Sequence, residues 1–439
     1  MLRLPLRLPP SLIIVVSFLA VIITGAILLS LPVSSANGLP TNFLDAYFTS
    51  NSATCVTGLV TLDTGVHFSL FGLIVLLILI QIGGLGYLTF STFLVLVFRR
   101  KMFVSEKLMM MEALNIYSAQ DVLLVLRRIF RIVFWIEGVG ALILFLRFLP
   151  EKGVSQAVLY GVFHAVSAFN NAGFSLPPNF ASLTPYATDW VVNLTVTTLI
   201  IIGGIGFLVI ADILQFKRWS LHTKVVLATT LLLLMVGTIG FFILEYNNTL
   251  SPLALRHKVL ASYFQAVTPR TAGFNTLDLG KIVPASAIFI MFLMFIGASP
   301  GGTGGGIKTT TFALVVLTVR GVLRNCRDTI VFNRRIPPET VRRSFTIVIL
   351  GLVAIAFPIF FMTVTEKMPL MPLAFEVFSA FGTVGLSMGI TPFLSPIGKV
   401  IIIVTMFIGR VGPLTLLLAL ALRQKETRIE PPKEGVSIG

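Results

Sequence analysis

The sequence predicts an all-α polytopic membrane protein with four pseudo-fourfold helix–pore loop–helix repeats, eight spanning helices in all, around one central pore. Three observations predict it. The 439 residues are 56% hydrophobic and only 12% charged, with a mean hydropathy of +0.95, whereas soluble domains average about 25% charged. Four half-length apolar segments each run into a glycine followed by Leu or Phe: TCVTGL (54–59), NNAGF (170–174), RTAGF (270–274) and GTVGL (382–386). A second glycine motif trails each of them: IGGLG (82–86), IGGIG (202–206), IGASPGG (296–302) and IGRVG (408–412).

The offsets make these a repeat rather than a coincidence. Gly58, Gly173, Gly273 and Gly385 are 115, 100 and 112 residues apart, and an aromatic residue (Phe48, Phe163, Tyr263, Phe375) stands ten positions before each. The first glycine of the trailing motif follows by 25, 30, 24 and 24 positions. Internal self-similarity fixes the architecture before any single residue is interpreted.

Unit 1 (1–98) reads as an outer helix at 11–32, a partial helix at 42–54, a loop at 55–60 and an inner helix at 68–98. A connection at 99–121 leads to unit 2 (122–216), with an outer helix around 132–146, a partial segment at 156–168 and an inner helix at 190–211. Unit 3 (217–320) has an outer helix at 225–244, a partial segment at 258–267 and an inner stretch at 282–307. After a connection at 321–343, unit 4 (344–422) places its outer helix at 344–365, its partial segment at 371–381 and its inner helix at 400–422. A tail at 423–439 follows. The six charge-free outer and inner stretches meet the roughly 20 apolar residues a bilayer crossing needs. Two more spans, the 132–146 region with Glu137 and 400–422 with Arg410, carry one charge each. The partial segments are too short and read as re-entrant. Non-helical backbone at membrane depth survives only where it is buried in protein or lines water. The four loops therefore converge on a shared axis, and two crossings per unit keep the units parallel.

Charge orients the chain. The net charge is +15, and 23 of the 33 Lys and Arg fall at the N-terminus, in 99–131, 217–224 and 320–343, and in the tail. This positive-inside asymmetry puts both termini in the cytoplasm and reads against nucleic-acid binding. Arg3 and Arg7 followed by an apolar run imitate a signal peptide, but the run exceeds a usual 7–15-residue core. Cys55 and Cys326 fall on opposite sides of the membrane, so no disulfide framework follows.

At the loops, glycine accepts φ > 0 without a Cβ penalty. Four carbonyl sets aimed at one axis can replace the hydration shell of a monovalent cation. These features describe an ion pore. Between 297 and 309 the third inner helix is broken: Gly297, Ala298, Ser299, Pro300, Gly301, Gly302, Thr303, Gly304, Gly305 and Gly306 precede Ile307 and Lys308. Helix interiors lose about 1 kcal/mol per Gly and about 3 per Pro. Its segment Gly301–Gly305, with almost no side chain beyond Thr303, is expected to contribute little packing energy. It nearly spells a phosphate-binding loop, but Ile307 separates Gly306 from Lys308. Gly297–Gly301 matches a nucleophile elbow without a preceding strand or an assignable His and acid. An enzyme reading of the loop is thus a remote alternative, and none is assigned. Arg410 occupies the position of Gly84 and Gly204 in the other units. A charge at that depth usually faces a cavity, so it reads as a fixed positive charge below the loops, the alternative being an arginine satisfied by helix carbonyls or by Glu137. Lys308 reads equally as a pore-facing charge or a snorkelling anchor, and Glu137 as a structural polar contact.

SAFNNAGFS (167–175), AVTPRTAGFNT (266–276), SAFGTVGLSMG (379–389) and MFIGRVGPLT (406–415) together resemble the Trk/Ktr/HKT superfamily of K+ transporters, most closely its bacterial KtrB branch, over about residues 11–425. The resemblance implies a K+ filter at Val56, Thr57 and Gly58, Asn171, Ala172 and Gly173, Thr271, Ala272 and Gly273, and Thr383, Val384 and Gly385, with K+ on the carbonyls of the four glycines. It implies an intramembrane gate at 297–306 with Lys308 and Arg410. It also implies a homodimer in the bacterial cell membrane, resting on a cytosolic KtrA-like nucleotide-binding ring. No cofactor is expected in the chain beyond bound K+, with Na+ as a candidate co-ion. A Na+-selective or Na+-coupled transporter of the same fold is the alternative.

Overall fold

The computed structural model describes residues 10–86, 122–214, 219–326 and 328–412. The connection at 99–121, the tail at 423–439, both N-terminal arginines and the stretches 87–98 and 413–422 lie outside the described residues.

Helix dominates. In unit 1 the outer helix is Pro10–Ser30, the half helix Phe43–Thr54 and the inner helix Leu70–Leu85. The half helix starts where the Asn42 side chain accepts from Leu44 N, which satisfies a backbone donor that the first turn would leave orphaned. In unit 2 the outer and half helices form one element, Val122–Phe169, kinked at Gly153 with φ 73°. Unit 3 has Leu221–Glu245, Leu255–Val267 and Pro284–Phe295, and unit 4 has Pro338–Thr365, Leu370–Gly382 and Pro396–Val411. A further helix, Thr309–Leu323, resumes after the glycine-rich stretch. A two-stranded hairpin, Ile330–Val331 with Arg334–Arg335, sits in the 321–343 connection.

Three described stretches are long and apolar enough to cross a bilayer alone: Ile129–Phe169, Leu221–Glu245 and Pro338–Thr365. The second inner helix corrects the expectation of a continuous crossing at 190–211. It ends at Ile205, Gly206 takes φ 97°, and Phe207–Leu214 continues at 97° to it. Gly86 and Gly412 end their helices in the same way, with φ 77° and 91°. The trailing glycine motif is therefore a helix terminator in three units, and the third unit is not alone in being interrupted.

The units pack in a circle. The inner helix of unit 1 lies against the long helix of unit 2, that of unit 2 against the half helix of unit 3, and that of unit 3 against the half helix of unit 4. The inner helix of unit 4 closes the circle on the half helix of unit 1. Among the described residues, ten phenylalanines, Phe48, Phe163, Phe264 and Phe375 among them, are the largest fully buried side chains, so the half helices are sheathed in aromatic packing. A rigid sheath of this kind holds the loops that follow each half helix.

Candidate functional site

Each half helix delivers its loop through the same backbone turn. Two residues before the glycine, Val56, Asn171, Thr271 and Thr383 all have left-handed backbone, with φ of 51°, 57°, 70° and 50°. The glycines themselves follow at φ 91°, 71°, 78° and 88°. Left-handed geometry is uncommon for any residue with a Cβ, and outright rare for a β-branched one. Four instances at one offset mark a strained turn that the surroundings enforce.

The brace is a hydroxyl on the half helix. Thr57 N donates to Ser52 O at 2.8 Å and Gly58 N to Ser52 Oγ at 3.0 Å. Val384 N and Gly385 N repeat this on Ser379 at 2.8 and 3.0 Å. In unit 2, Ala172 N donates to Ser167 O at 2.8 Å while Ser167 Oγ donates to Phe174 O at 2.8 Å. Thr268 plays this part in unit 3, receiving Ala272 N at 2.9 Å and donating to Phe274 O at 2.5 Å. These hydroxyls were not singled out in the sequence, although Ser stands six residues before the glycine in three of the four loops.

The four glycines then meet. A Cβ added to Gly58 would lie 2.9 Å from Gly173 Cα, and one on Gly173 2.9 Å from Gly273 Cα. The same addition on Gly273 would lie 3.2 Å from Gly385 Cα, and on Gly385 3.0 Å from Gly58 Cα. The ring closes in chain order. The carbonyl oxygens of Thr57, Ala172, Ala272 and Val384 each lie against the preceding glycine of the circle. Glycine is required here by close backbone approach as well as by φ. All twelve residues that the sequence named around the loops come together, and Val56, Thr57, Ala172, Thr271, Ala272, Thr383 and Val384 are fully buried.

On the side of the residues that follow the glycines is a cavity of about 250 Å³, lined by all four glycines and bearing the carboxylates of Asp63 and Asp278. Asp63 Oδ2 accepts from Asn179 N at 2.5 Å and Phe180 N at 3.3 Å, and Asp278 pairs with Lys281 at 3.0 Å.

The opposite side of the ring is covered by the glycine-rich stretch. Its ends are pinned by Gly297 N to Ile307 O at 2.8 Å and Thr309 N to Ala298 O at 3.3 Å. Ser299 N and Thr303 N donate to the carbonyls of Gly204 and Gly203, at 2.9 and 3.1 Å, and Phe207 N donates to Gly301 O at 3.0 Å. Gly305 N donates to Thr383 Oγ1 at 3.0 Å, and Gly306 N to Gly409 O at 3.3 Å. A Cβ on Gly304 would lie 2.8 Å from Thr271 Cβ, so the loop abuts the residues that shape the ring. Gly302 packs on the Gly204 carbonyl, and Pro300 O lies 2.6 Å from where a Gly206 Cβ would be. The expectation of little packing energy from Gly301–Gly305 is corrected: the glycines let the backbone itself pack closely, and Thr303, fully buried, adds a bond from Oγ1 to Phe169 O at 3.3 Å.

Arg410 donates from Nη1 to Thr303 O and from Nη2 to Gly83 O. Lys308 Nζ donates to Gly304 O at 2.7 Å and Gly305 O at 3.4 Å. Glu137 is held elsewhere, by Gln81 Nε2 at 3.1 Å and Asn170 Nδ2 at 2.9 Å. It is not the partner of Arg410.

A family model described as TrkH, cation transport protein, matches residues 5–429. The Ktr system potassium uptake protein B of Bacillus subtilis (strain 168) is 44% identical over 438 residues, covering 99% of this chain and 97% of that protein. The potassium/sodium uptake protein NtpJ of Enterococcus hirae is 38% identical over 443 residues, covering 99% of this chain and 98% of that one. In fold, the crystal structure of the potassium transporter TrkH from Vibrio parahaemolyticus matches with a TM-score of 0.76 at 19% identity, covering 96% of this chain and 87% of that chain.

Proposed function

Because this chain belongs to the TrkH family of cation transport proteins, we propose that it is the ion-translocating membrane subunit of a bacterial K+ uptake system, with four pseudo-fourfold units and eight spanning helices around one pore. The closed ring of Gly58, Gly173, Gly273 and Gly385 carries the reading. Backbone carbonyls at the ring replace water around a dehydrated monovalent cation. Asp63 in the cavity above supplies negative charge to the approaching ion, the charge of Asp278 being offset by Lys281. The stretch 297–306 acts as the gate, with Lys308 and Arg410 holding it shut. Inward flow is favoured by about 2.3 kcal/mol per 100 mV of inside-negative potential.

A homodimer in the cell membrane, with both termini cytoplasmic and a KtrA-like nucleotide-binding ring beneath, completes the proposal. The Ktr system names of the relatives support a multi-component system, since they describe parts of one. A second reading, Na+ as carried or coupled ion, is favoured by the name of the Enterococcus relative. Rb+ and Na+ uptake into proteoliposomes with and without the cytosolic ring tests both. Partner-stimulated Rb+ uptake that exceeds Na+ uptake supports the first reading, and Na+ uptake at an equal or higher rate supports the second. Absence of any cation flux from inserted, partner-bound protein refutes both.

A further inference from the structure

Resting on that reading, we infer that the glycine-rich loop contains a second monovalent-cation site, formed by the carbonyls of Gly304 and Gly305, and that the Lys308 ammonium fills it as a tethered stand-in for the permeating ion.

Lys308 Nζ lies 2.7 Å from Gly304 O and 3.4 Å from Gly305 O, and Arg410 takes the neighbouring carbonyl, Thr303 O. Three successive carbonyls thus each face a side-chain cation. The ion pairs among the described residues give Lys308 no carboxylate. Its place in the chain does not favour the charge either. Lys308 is the N-cap of the helix Thr309–Leu323, the positive end of the helix dipole, where a cation is disfavoured. The loop carbonyls are what hold the amine there.

An ammonium is a compact point charge, and carbonyl oxygens are the ligands that replace the hydration shell of a permeating monovalent cation. The two ask for the same surroundings. The loop abuts the ring's own loops, Gly305 N donating to Thr383 Oγ1 at 3.0 Å and Gly304 lying against Thr271. Because C=O and N–H of a trans peptide are opposed, the Gly304 carbonyl points away from the ring, to the side a cation reaches after leaving it. A cation leaving the ring and the Lys308 ammonium therefore compete for the same oxygens. Conduction requires the ammonium to withdraw, and the loop then offers the departing ion a ligand set instead of a bare apolar constriction.

The test uses the membrane subunit in proteoliposomes, with and without the cytosolic ring, and reads Rb+ uptake for the native chain, Lys308→Met and Lys308→Ala. Charge-assisted bonds to the loop are lost in both variants, so uptake without the ring should rise on the order of tenfold. Lys308→Met keeps the length of the side chain, so a folding defect confined to Lys308→Ala leaves the experiment readable. Propylammonium supplied from the cytoplasmic face should return Lys308→Ala toward the native rate, and 1-propanol should not. Native rates in both variants, or a raised rate that propylammonium leaves unchanged, overturn the inference. If the native chain with its activated partner carries no Rb+, the transport reading itself fails; if it carries Rb+ and only the Lys308 outcomes fail, the tethered-cation site alone is lost.

Discussion

Arg410 and Thr303 are 107 residues apart in the chain, and the guanidinium of one donates to the carbonyl of the other directly under the glycine ring. The second amino group of Arg410 donates to Gly83 O, so one planar side chain joins units 1, 3 and 4. The two sequence-based readings of this residue are not exclusive. It is satisfied by backbone carbonyls, and one of those belongs to the loop proposed to close the pore.

Arg410→Ala should therefore raise uptake that occurs without the cytosolic ring, on the order of tenfold, by removing both the charge and a bond that holds the loop. Arg410→Lys should fall between, because an ammonium cannot reproduce the forked donor geometry. Rb+ uptake into proteoliposomes measures both. A fall in uptake by a variant that folds normally would assign Arg410 a structural role alone.

Gly58→Ser should weaken K+ over Na+ discrimination. Its Cβ would meet Ala172 O at 2.5 Å and Gly173 Cα at 2.9 Å, and the residue would hold φ 91°. Strain of this kind is of order 1–3 kcal/mol and is relieved by opening one quadrant of the ring. The ratio of Rb+ to Na+ uptake and the melting temperature in detergent read the two effects. An unchanged ratio would remove Gly58 from the filter.

Ser379→Ala takes away the hydroxyl that receives Gly385 N at 3.0 Å. Net loss of one hydrogen bond is about 1 kcal/mol, so the protein should remain folded with a slightly lower melting temperature. The ion ratio should drift in the same direction as for Gly58→Ser, by less. Ser52→Ala, which releases Gly58 N, should behave alike.

Glu137→Gln should be well tolerated and Glu137→Leu should not. Oε1 of Glu137 receives both Gln81 at 3.1 Å and Asn170 at 2.9 Å, and an amide oxygen can still receive both. Leucine removes the acceptor of Gln81 Nε2, at about 1–3 kcal/mol for such a group, while Asn170 Nδ2 keeps Gln81 Oε1 and Val166 O, both at 2.9 Å. Thermal unfolding in detergent should separate the two variants clearly. Equal melting temperatures would mean that the network contributes nothing to the fold.

The repeat was legible because glycine, aromatic and trailing motif recur at fixed offsets, and those offsets are what the loops need to converge. The half helices follow from their length: Phe43–Thr54 begins one residue inside the 42–54 read from the sequence and ends with it. What escaped was information carried by the backbone. Nothing in the composition of Val56, Asn171, Thr271 and Thr383 announces left-handed geometry, since the surroundings impose it. The break at Gly206 sits in an apolar run that reads as continuous, and of the three glycines of its motif Gly203 and Gly204 stay helical, so glycine in a helix is an ambiguous signal. The glycine-rich loop is legible in the sequence but its packing is not, because most of its contacts are made by carbonyls and amides, which every residue carries alike.

The ring has one further consequence, which concerns inheritance rather than transport. Because its four quadrants lie on a single polypeptide, a codon change alters one quadrant and leaves three untouched, whereas in an assembly of four identical chains every change arrives fourfold. The residues directly behind the ring record that freedom: Cys55, Asn170, Arg270 and Gly382 occupy the same offset with four different chemistries. All four loops nonetheless keep the same backbone turn. Side chains vary within the turn as well as behind it, glycine apart, and each quarter can drift by itself as long as its carbonyls stay in place.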